Sequence, residues 1–405
     1  MIEFKKYNLG DIADIIVSTV DKKSKEGQKE VRLCNFVDVY KNWAITHDLY
    51  DDFMIATASD VEIERFKIKK GQVAFTKDSE TRDDIGIATY IADDFDDVIL
   101  GYHTALVTPN EKVILGEYLN AFMHSKYILK YFEMNATGSG MRYTLSLETL
   151  HDIPVLVPSL EDQIKIGEFF SAIDRKICIN RKANAELEAL VKQIYDYWFV
   201  QFDFPDANGC PYKSNGGKMV YNAHLKRSIP EGWSDATLEE YCQMYQPKTL
   251  GLKELSVNGK YRVYGANGMI GYYDAYNHSE SEIAIACRGN SCGTVNRTMP
   301  YSWITGNAMV MKMRDESIHN EFIAQSVPYM NIQGAISGSG QPQLTRENLN
   351  PVKLIKPSKR VLQAFSEEVT NIVKLQLSNQ EEIDRLKKYR NEVMPLILNG
   401  QVSIS

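Results

Sequence analysis

Two adjacent prolines, a Gly-x-x-x-x-Gly-Lys-Ser/Thr loop and a Cys-x-x-Cys pair are all missing from this 405-residue chain. The first absence excludes the Asn/Asp-Pro-Pro-Tyr motif of amino-methyltransferases. The second excludes nucleotide hydrolysis through a phosphate-cradling loop. The third leaves the six cysteines (Cys34, Cys178, Cys210, Cys242, Cys287 and Cys292) without a four-ligand zinc pattern, so reduced, half-buried thiols are expected. The histidines (His47, His103, His124, His151, His224, His278 and His319) form no pair at metal spacing, and no Gly-x-Ser-x-Gly accompanies them. Pro205-Asp206 is not followed by the Glu-x-Lys of a nuclease. No catalytic residue and no metal ligand is therefore assigned, and no cofactor is expected on this chain. Long apolar runs are also missing. Nothing approaches the roughly 18 to 20 residues of a membrane span, and the opening MIEFKKYNLGDIAD has no signal core. A cytoplasmic protein without a membrane partner is expected.

A basic excess is lacking as well. Lys and Arg number 46 against 53 Asp and Glu, a formal charge of −7, and residues 1–158 hold 18 of the bases and 26 of the acids. Proteins that live on phosphates usually carry net positive charge. Any contact with nucleic acid must then come from local clusters, helped by a partner that supplies positive field. With 44% hydrophobic residues the chain can build ordinary cores, and its length suits two or three domains.

What the chain has is a repeat. The stretch from Gly138-Ser139-Gly140 to Pro158-Ser159 returns, with one residue dropped, as Gly338-Ser339-Gly340 to Pro357-Ser358, and Leu145, Glu148 and Leu150 match Leu344, Glu347 and Leu349 at an offset of 199. The offset continues into a series stepping by four and three: Ile166, Phe170, Ile173, Ile177, Asn180, Asn184, Leu187, Val191, Ile194, Trp198. Its counterpart is Phe365, Val369, Ile372, Gln376, Asn379, Ile383, Leu386, Arg390, Val393, Ile397. Such steps keep one stripe of a helix facing a partner helix, as in a coiled coil. Asn180 and Asn379 occupy the same seam position, where a polar residue costs stability but fixes register. Two helices packed separately on their own domains are the alternative. The shared register favours helices packed on each other, each about 40 residues and roughly 60 Å long.

The expected organisation is a domain over 1–158, a long helix within 159–203, a linker over 204–228 rich in Gly, Pro, Asn and Ser, a second domain over 229–357 and a second long helix within 358–405. Ser159 with Asp162 can cap the first helix and Pro205 closes it. Strand-like runs are Val31–Leu33, Gln72–Phe75, Gly86–Ile91 and Thr104–Val107 in the first domain, and Tyr261–Tyr264, Glu282–Ala286 and Ala308–Lys312 in the second. A helix is expected from Gly116 to Phe132, with Tyr118, Leu119, Phe122, Tyr127 and Leu129 toward a core. Asn258-Gly259 signals a hairpin turn. Gly265-x-x-Gly268-x-x-Gly271 leads into Tyr272-Tyr273-Asp274 rather than a helix, which suits a second strand better than a cofactor loop. The fold class is α+β: two mixed α/β domains and two long helices in a pseudo-two-fold internal repeat.

Polar loops supply candidate DNA contacts. In the first domain these are Lys22, Lys23, Lys25, Lys77, Arg82, Arg142 and Tyr143. In the second they are Asn267, Arg288, Asn290, Arg297, Gln341, Gln343 and Arg346. Arg grips guanine edges or phosphate, and Asn or Gln reads adenine. Exposed turns and solvated lysines account for the same residues without any ligand. The Gly-Ser-Gly turns can hold a phosphate on backbone N–H groups or cap a neighbouring element.

Taken together, Leu145-Ser146, Ile153-Pro154-Val155, Pro158 to Ile164, Phe169 to Ile177, Tyr197 to Pro205, Gly216 to Val220, Ile229-Pro230-Glu231-Gly232-Trp233 and Leu398-Asn399-Gly400 make the whole chain resemble the specificity subunits of Type I restriction-modification systems. The first domain departs from the pattern, starting at Tyr7-Asn8-Leu9-Gly10 without the Pro-x-Gly-Trp of Pro230 to Trp233. The resemblance implies two target recognition domains, each reading half of a split asymmetric site on double-stranded DNA. It implies that the helices form an antiparallel coiled coil that sets the spacer and docks two modification subunits. Restriction/translocase subunits would complete the complex, with S-adenosylmethionine, ATP and Mg bound by the partners. A free-standing DNA-binding regulator that dimerises through the seam is the other reading.

Overall fold

The computed structural model describes residues 3–140, 142–256, 259–338 and 340–404. They form two compact units, Met1–Asn180 with Glu382–Ser405, and Arg181–Glu381. This division cuts across the expected succession of domain, helix, domain, helix, because each long helix lends one part to each unit.

In the first unit a five-stranded sheet runs in the order Ala13–Val17, Thr104–Pro109, Val73–Thr76, Ala88–Ile91, Ala44–Ile45. Its pairings are antiparallel except the last. Successive side chains of a strand point to opposite faces, and here both faces are covered. Val73, Phe75, Ala105 and Val107 join one core with Tyr118, Phe122 and Phe170, while Ala74 and Leu106 join another with Ile45 and Phe53. The helix expected from Gly116 to Phe132 is broken into Gly116–Met123 and Lys126–Asn135. Ser125 makes the break: its hydroxyl accepts from the Ile128 amide at 3.3 Å and starts a new helix. The restart turns the face, so Tyr118, Leu119 and Phe122 are buried as expected but Tyr127 is 50% exposed.

The second unit repeats this topology. Its four-stranded sheet runs Cys242–Tyr245, Ala308–Met313, Ile283–Ala286, Val295–Arg297, all antiparallel. Each unit also has a three-stranded sheet with one antiparallel and one parallel pairing, centred on Lys29–Cys34 and on Tyr261–Gly265. Each is closed by a pair of strands, Lys5–Asn8 with Pro154–Val157 and Ser234–Thr237 with Lys353–Lys356. The Leu9 amide donates to the Ile153 carbonyl at 2.9 Å and the Leu238 amide to the Val352 carbonyl at 2.8 Å, the acceptors again 199 residues apart. Gly265 and Gly268 pair in a hairpin whose second strand is Gly268–Tyr273. Asn258 of the expected Asn-Gly turn lies outside the described residues.

Residues 204–228 differ from the loop expected of them. Phe204 stacks against Tyr212 and Trp233, with ring centroids at 4.8 and 4.7 Å. Met219–Asn222 pairs with Arg227–Pro230. Their Gly, Pro and Asn content marks turns, but the aromatics between the turns bind the segment to the core of the second unit.

The long helices are Leu160–Tyr195, extended by a π-helical turn at Asp196–Val200, and Lys359–Leu398. Ser159 caps the first, accepting from the Asp162 amide at 3.2 Å while its hydroxyl donates to the Asp162 carboxylate at 2.7 Å. Ile166, Phe170, Ile173, Ile177, Asn180, Val369 and Ile383 are buried. Leu187, Ile194, Ile372, Asn379, Leu386 and Val393 are half-buried. In the first unit Phe169 meets Tyr389, Asp174 lies 3.9 Å from Arg390 and Asn180 donates to Glu382 at 2.7 Å. In the second unit Asn184 donates to the Gln376 carbonyl at 3.1 Å and Trp198 packs on Phe365 at 6.0 Å. From Phe169 to Asn180 the partners run from Tyr389 to Glu382, and from Asn184 to Trp198 they run from Gln376 to Phe365, so within each unit the helix segments pack on each other antiparallel.

Candidate nucleic-acid interface

In the first unit the sheet strand Val73–Thr76 runs on into Lys77, Asp78 and Ser79. A hairpin, Thr137–Ser139 with Arg142–Thr144, pairs onto this extension: Thr144 lies opposite Asp78 and Tyr143 opposite Ser79. The Leu145 amide donates to the Lys77 carbonyl at 2.9 Å. In the second unit Ile283–Ala286 runs on into Cys287 and Arg288. The hairpin Ile336–Ser337 with Gln343–Leu344 returns in the same way. There the Leu344 amide donates to the Cys287 carbonyl at 3.0 Å, and Gln343 bridges Arg288. Both units thus share one backbone mould, in which Lys77 matches Cys287, Asp78 matches Arg288, and Arg142 matches Gln341.

The repeated glycines follow from this mould. Gly138 and Gly338 have φ of 145° and 86°, and a Cβ at either would press on the carbonyl oxygen of Arg142 or Gln341 respectively. The hairpin itself needs them, whatever the rest of each Gly-Ser-Gly does. Met141 and Ser339 lie outside the described residues.

In the first unit the side chains converge on Asp78, which is 8% exposed. Arg142 Nη2 reaches its carboxylate at 3.1 Å and Lys77 Nζ at 3.3 Å, and Lys77 also donates to the Thr144 hydroxyl at 2.9 Å. His103, held at φ 71°, places Nδ1 2.5 Å from the carboxylate and touches Arg142. Burial pushes the Asp78 carboxyl up, but hydrogen bonding with Thr144 and His103, the Lys77 charge and Arg142 outweigh it and hold the pKa at about 2. Arg82 lies over the Tyr143 ring at 5.1 Å. Phe36, Tyr40, Asp84, His103 and Arg142 line the cleft above Asp78.

Four of the expected contacts, Lys77, Arg82, Arg142 and Tyr143, therefore come together. Lys22, Lys23 and Lys25 do not join them: they lie on a separate exposed loop, tied to Thr57 by the Lys25 amide at 2.7 Å.

In the second unit Arg288, Asn290, Gln341 and Gln343 are exposed on the mould. The loop is fastened by the Gly289 amide on the Pro342 carbonyl at 2.9 Å and by Ser291, whose hydroxyl donates to Asn267. Arg346 stands at the start of the helix Arg346–Leu349, 3.7 Å from Glu347, and lines another cleft with Glu239 and Arg314.

Arg297 has to be withdrawn as a DNA contact. Its side chain is 16% exposed, pairs with the fully buried Glu321 and donates to Gln376 of the second long helix at 2.8 Å. The edge strand Val295–Arg297 directs it to the helices, where its charge is already neutralised.

Asp78 and His103 carry no sequence signal, and the match of Asp78 to Arg288 joins opposite charges, so only the backbone reveals it. Among the described residues no group of three His, Cys, Asp or Glu could hold a metal ion, and no helix is long and apolar enough to cross a membrane.

Two copies of one mould, each displaying polar side chains from a loop and a hairpin, and each built onto segments of the same two helices, define a duplicated recognition protein. The sequence matches the family described as the Type I restriction modification DNA specificity domain over residues 1–189 and 230–391. It is 22% identical to the Type I restriction enzyme HindI specificity subunit of Haemophilus influenzae, across 99% of this chain and 100% of that one. It is 23% identical to the MjaIX specificity subunit of Methanocaldococcus jannaschii, across 74% and 71%. A crystal structure of the Type I restriction-modification S subunit from M. genitalium shares the fold, with a TM-score of 0.57 at 14% identity over 98% of this chain and 96% of that one. The chain belongs to the Type I restriction-modification DNA specificity family. It is a specificity subunit with two recognition domains, a non-catalytic component.

Proposed function

We propose that the chain selects the DNA on which a Type I restriction-modification complex acts, each mould reading one half of a bipartite asymmetric target. The observation that carries this is the duplicated mould with unlike side chains: Lys77, Asp78 and Arg142 in one copy, Cys287, Arg288 and Gln341 in the other. One backbone geometry with two chemistries suits a target whose halves differ. The helix pair sets the spacer between half-sites and docks two modification subunits, which bind S-adenosylmethionine. Restriction/translocase subunits add ATP and Mg. The complex works in the cytoplasm, and its partners supply the positive field that a chain of charge −7 lacks. A stand-alone regulator would need a seam free to meet a second copy. Here the seam segments are covered by the chain's own second helix within each unit.

The test is a map of methylated bases in the source genome with this gene intact and deleted. Loss of methylated adenine at one split, asymmetric motif is expected. An unchanged map from an expressed system would overturn the reading.

A further inference from the structure

We infer that Arg142, held from behind by the buried carboxylate of Asp78, is the residue through which the first recognition domain selects a guanine. The inference rests on the reading that this domain binds DNA. A guanidinium recognises guanine by presenting two donors at once to O6 and N7, which requires a fixed orientation. A surface arginine otherwise has many rotamers to lose. Here Nη2 is engaged by Asp78 at 3.1 Å and also meets His103, and the side chain is still 58% exposed. A base offered to the Nη1–Nη2 edge would take the place of the His103 contact while Asp78 keeps the guanidinium oriented. Asp78 is itself anchored by Lys77 at 3.3 Å and by His103. Asp78 is thus a positioning residue, and Arg142 the one that would touch the base.

The surroundings favour a base edge over a phosphate. Asp78, Glu80 and Asp84 line the same cleft as Arg142. These carboxylates offset the positive charge of Arg142, Lys77 and Arg82 that a phosphate would seek, but leave directed N–H donors for a neutral acceptor edge. In the second domain the cation moves to the loop, as Arg288, and the hairpin position carries Gln341. A glutamine carboxamide pairs with adenine N6 and N7, so the two halves of the target differ at this place.

The test uses the assembled complex with its modification subunits and maps the methylated motif for the wild type, Arg142→Ala, Arg142→Lys and Asp78→Asn. Arg142→Ala is expected to relax one guanine in one half-site, lowering discrimination there roughly 5- to 150-fold, with the other half-site and the spacer unchanged. Arg142→Lys keeps the charge and fold but loses the planar fork, and is expected to relax the same position. Asp78→Asn relaxes it by a smaller factor. An unchanged motif in all three variants would overturn the inference. So would a loss of affinity that is uniform across sequences and is rescued by lysine, the signature of a phosphate contact. A wild-type complex that methylates no bipartite motif would instead overturn the functional reading beneath it.

Discussion

Asn379 donates its carboxamide to Asn184 at 2.9 Å, linking two seam positions of the paired helices. Gln376 accompanies them, donating to the Asn184 carbonyl at 3.3 Å. Asn180, which shares the repeat position of Asn379, bonds instead to Glu382 at 2.7 Å. The repeat preserved the polar residue but not its partner. An apolar seam tolerates sliding by one heptad, whereas directed carboxamide bonds form in one register only.

Asn379→Leu should therefore destabilise the second unit by about 1 kcal/mol, since it leaves the half-buried Asn184 oxygen without this donor. Asn184→Leu with Asn379→Leu should recover that loss or exceed the wild type. Urea midpoints check both; a double variant weaker than the single would contradict the account.

Arg297→Ala should cost about 3–5 kcal/mol, because it strands a carboxylate in the core. Glu321 is 0% exposed, and Arg297 is its charge partner. Arg297→Met with Glu321→Leu should restore most of the stability. The salt dependence of DNA binding by the folded protein should stay the same in both variants, since Arg297 meets no phosphate.

Stability should fall in mild acid through two histidines. Burial holds His124 and His319 down at about 4, aided by the Arg390 charge near His124 and by Arg297 and Lys374 near His319. His124 stacks on Trp43 at 4.3 Å and its Nδ1 lies 2.9 Å from the Asn120 carbonyl; the Glu321 amide donates to His319 Nδ1 at 3.1 Å. Both folded-state values lie below that of a free histidine, so between them the unfolded chain binds more protons. The contribution is complete above about pH 6.5 and is lost as pH falls to about 4, on the order of 3 kcal/mol per histidine. Denaturation midpoints at pH 7, 5.5 and 4.5 check this, and His124→Gln should flatten the part of the curve belonging to the first unit.

Gly138→Ala should distort one hairpin and Gly338→Ala the other. A side chain at these φ values costs about 1–3 kcal/mol, and its Cβ would displace the strand carrying Arg142 or Gln341. Each variant should lose recognition of its own half-site while both units remain folded. Methylation maps and circular dichroism give the two readouts.

Periodicity carried the sequence reading where packing is repetitive. Ile166 to Ile177 and their counterparts could be read as a seam because burial along a helix pair has a fixed step. Gln72–Phe75 and Thr104–Val107 could be read as strands because β-rich runs are buried on both faces. Where a single side chain outvotes the pattern, the reading failed. Ser125 divides a helix whose apolar residues look continuous, and Phe204 and Tyr212 order a segment whose composition reads as loop. The candidate interface was legible as polar loops but not as a site. Lys77 and Arg142 are far apart in sequence, and it is a pair of strands that brings them together. Arg297 was misplaced because its exposure depends on Glu321 and Gln376, neither of which is near it in the chain.

The first unit's core also has a consequence for synthesis. Ile383, Met394, Ile397 and Leu398 pack among the residues of the first domain, while Arg181–Glu381 forms a unit of its own. At about 5–20 residues per second, a ribosome needs roughly 10–40 s after Asn180 to produce them. The half of the protein translated first is thus the last to be completed. During that interval the stripe from Ile166 to Ile177 lacks the second long helix that completes its cover, which makes a nascent chain halted between the units a substrate for chaperones.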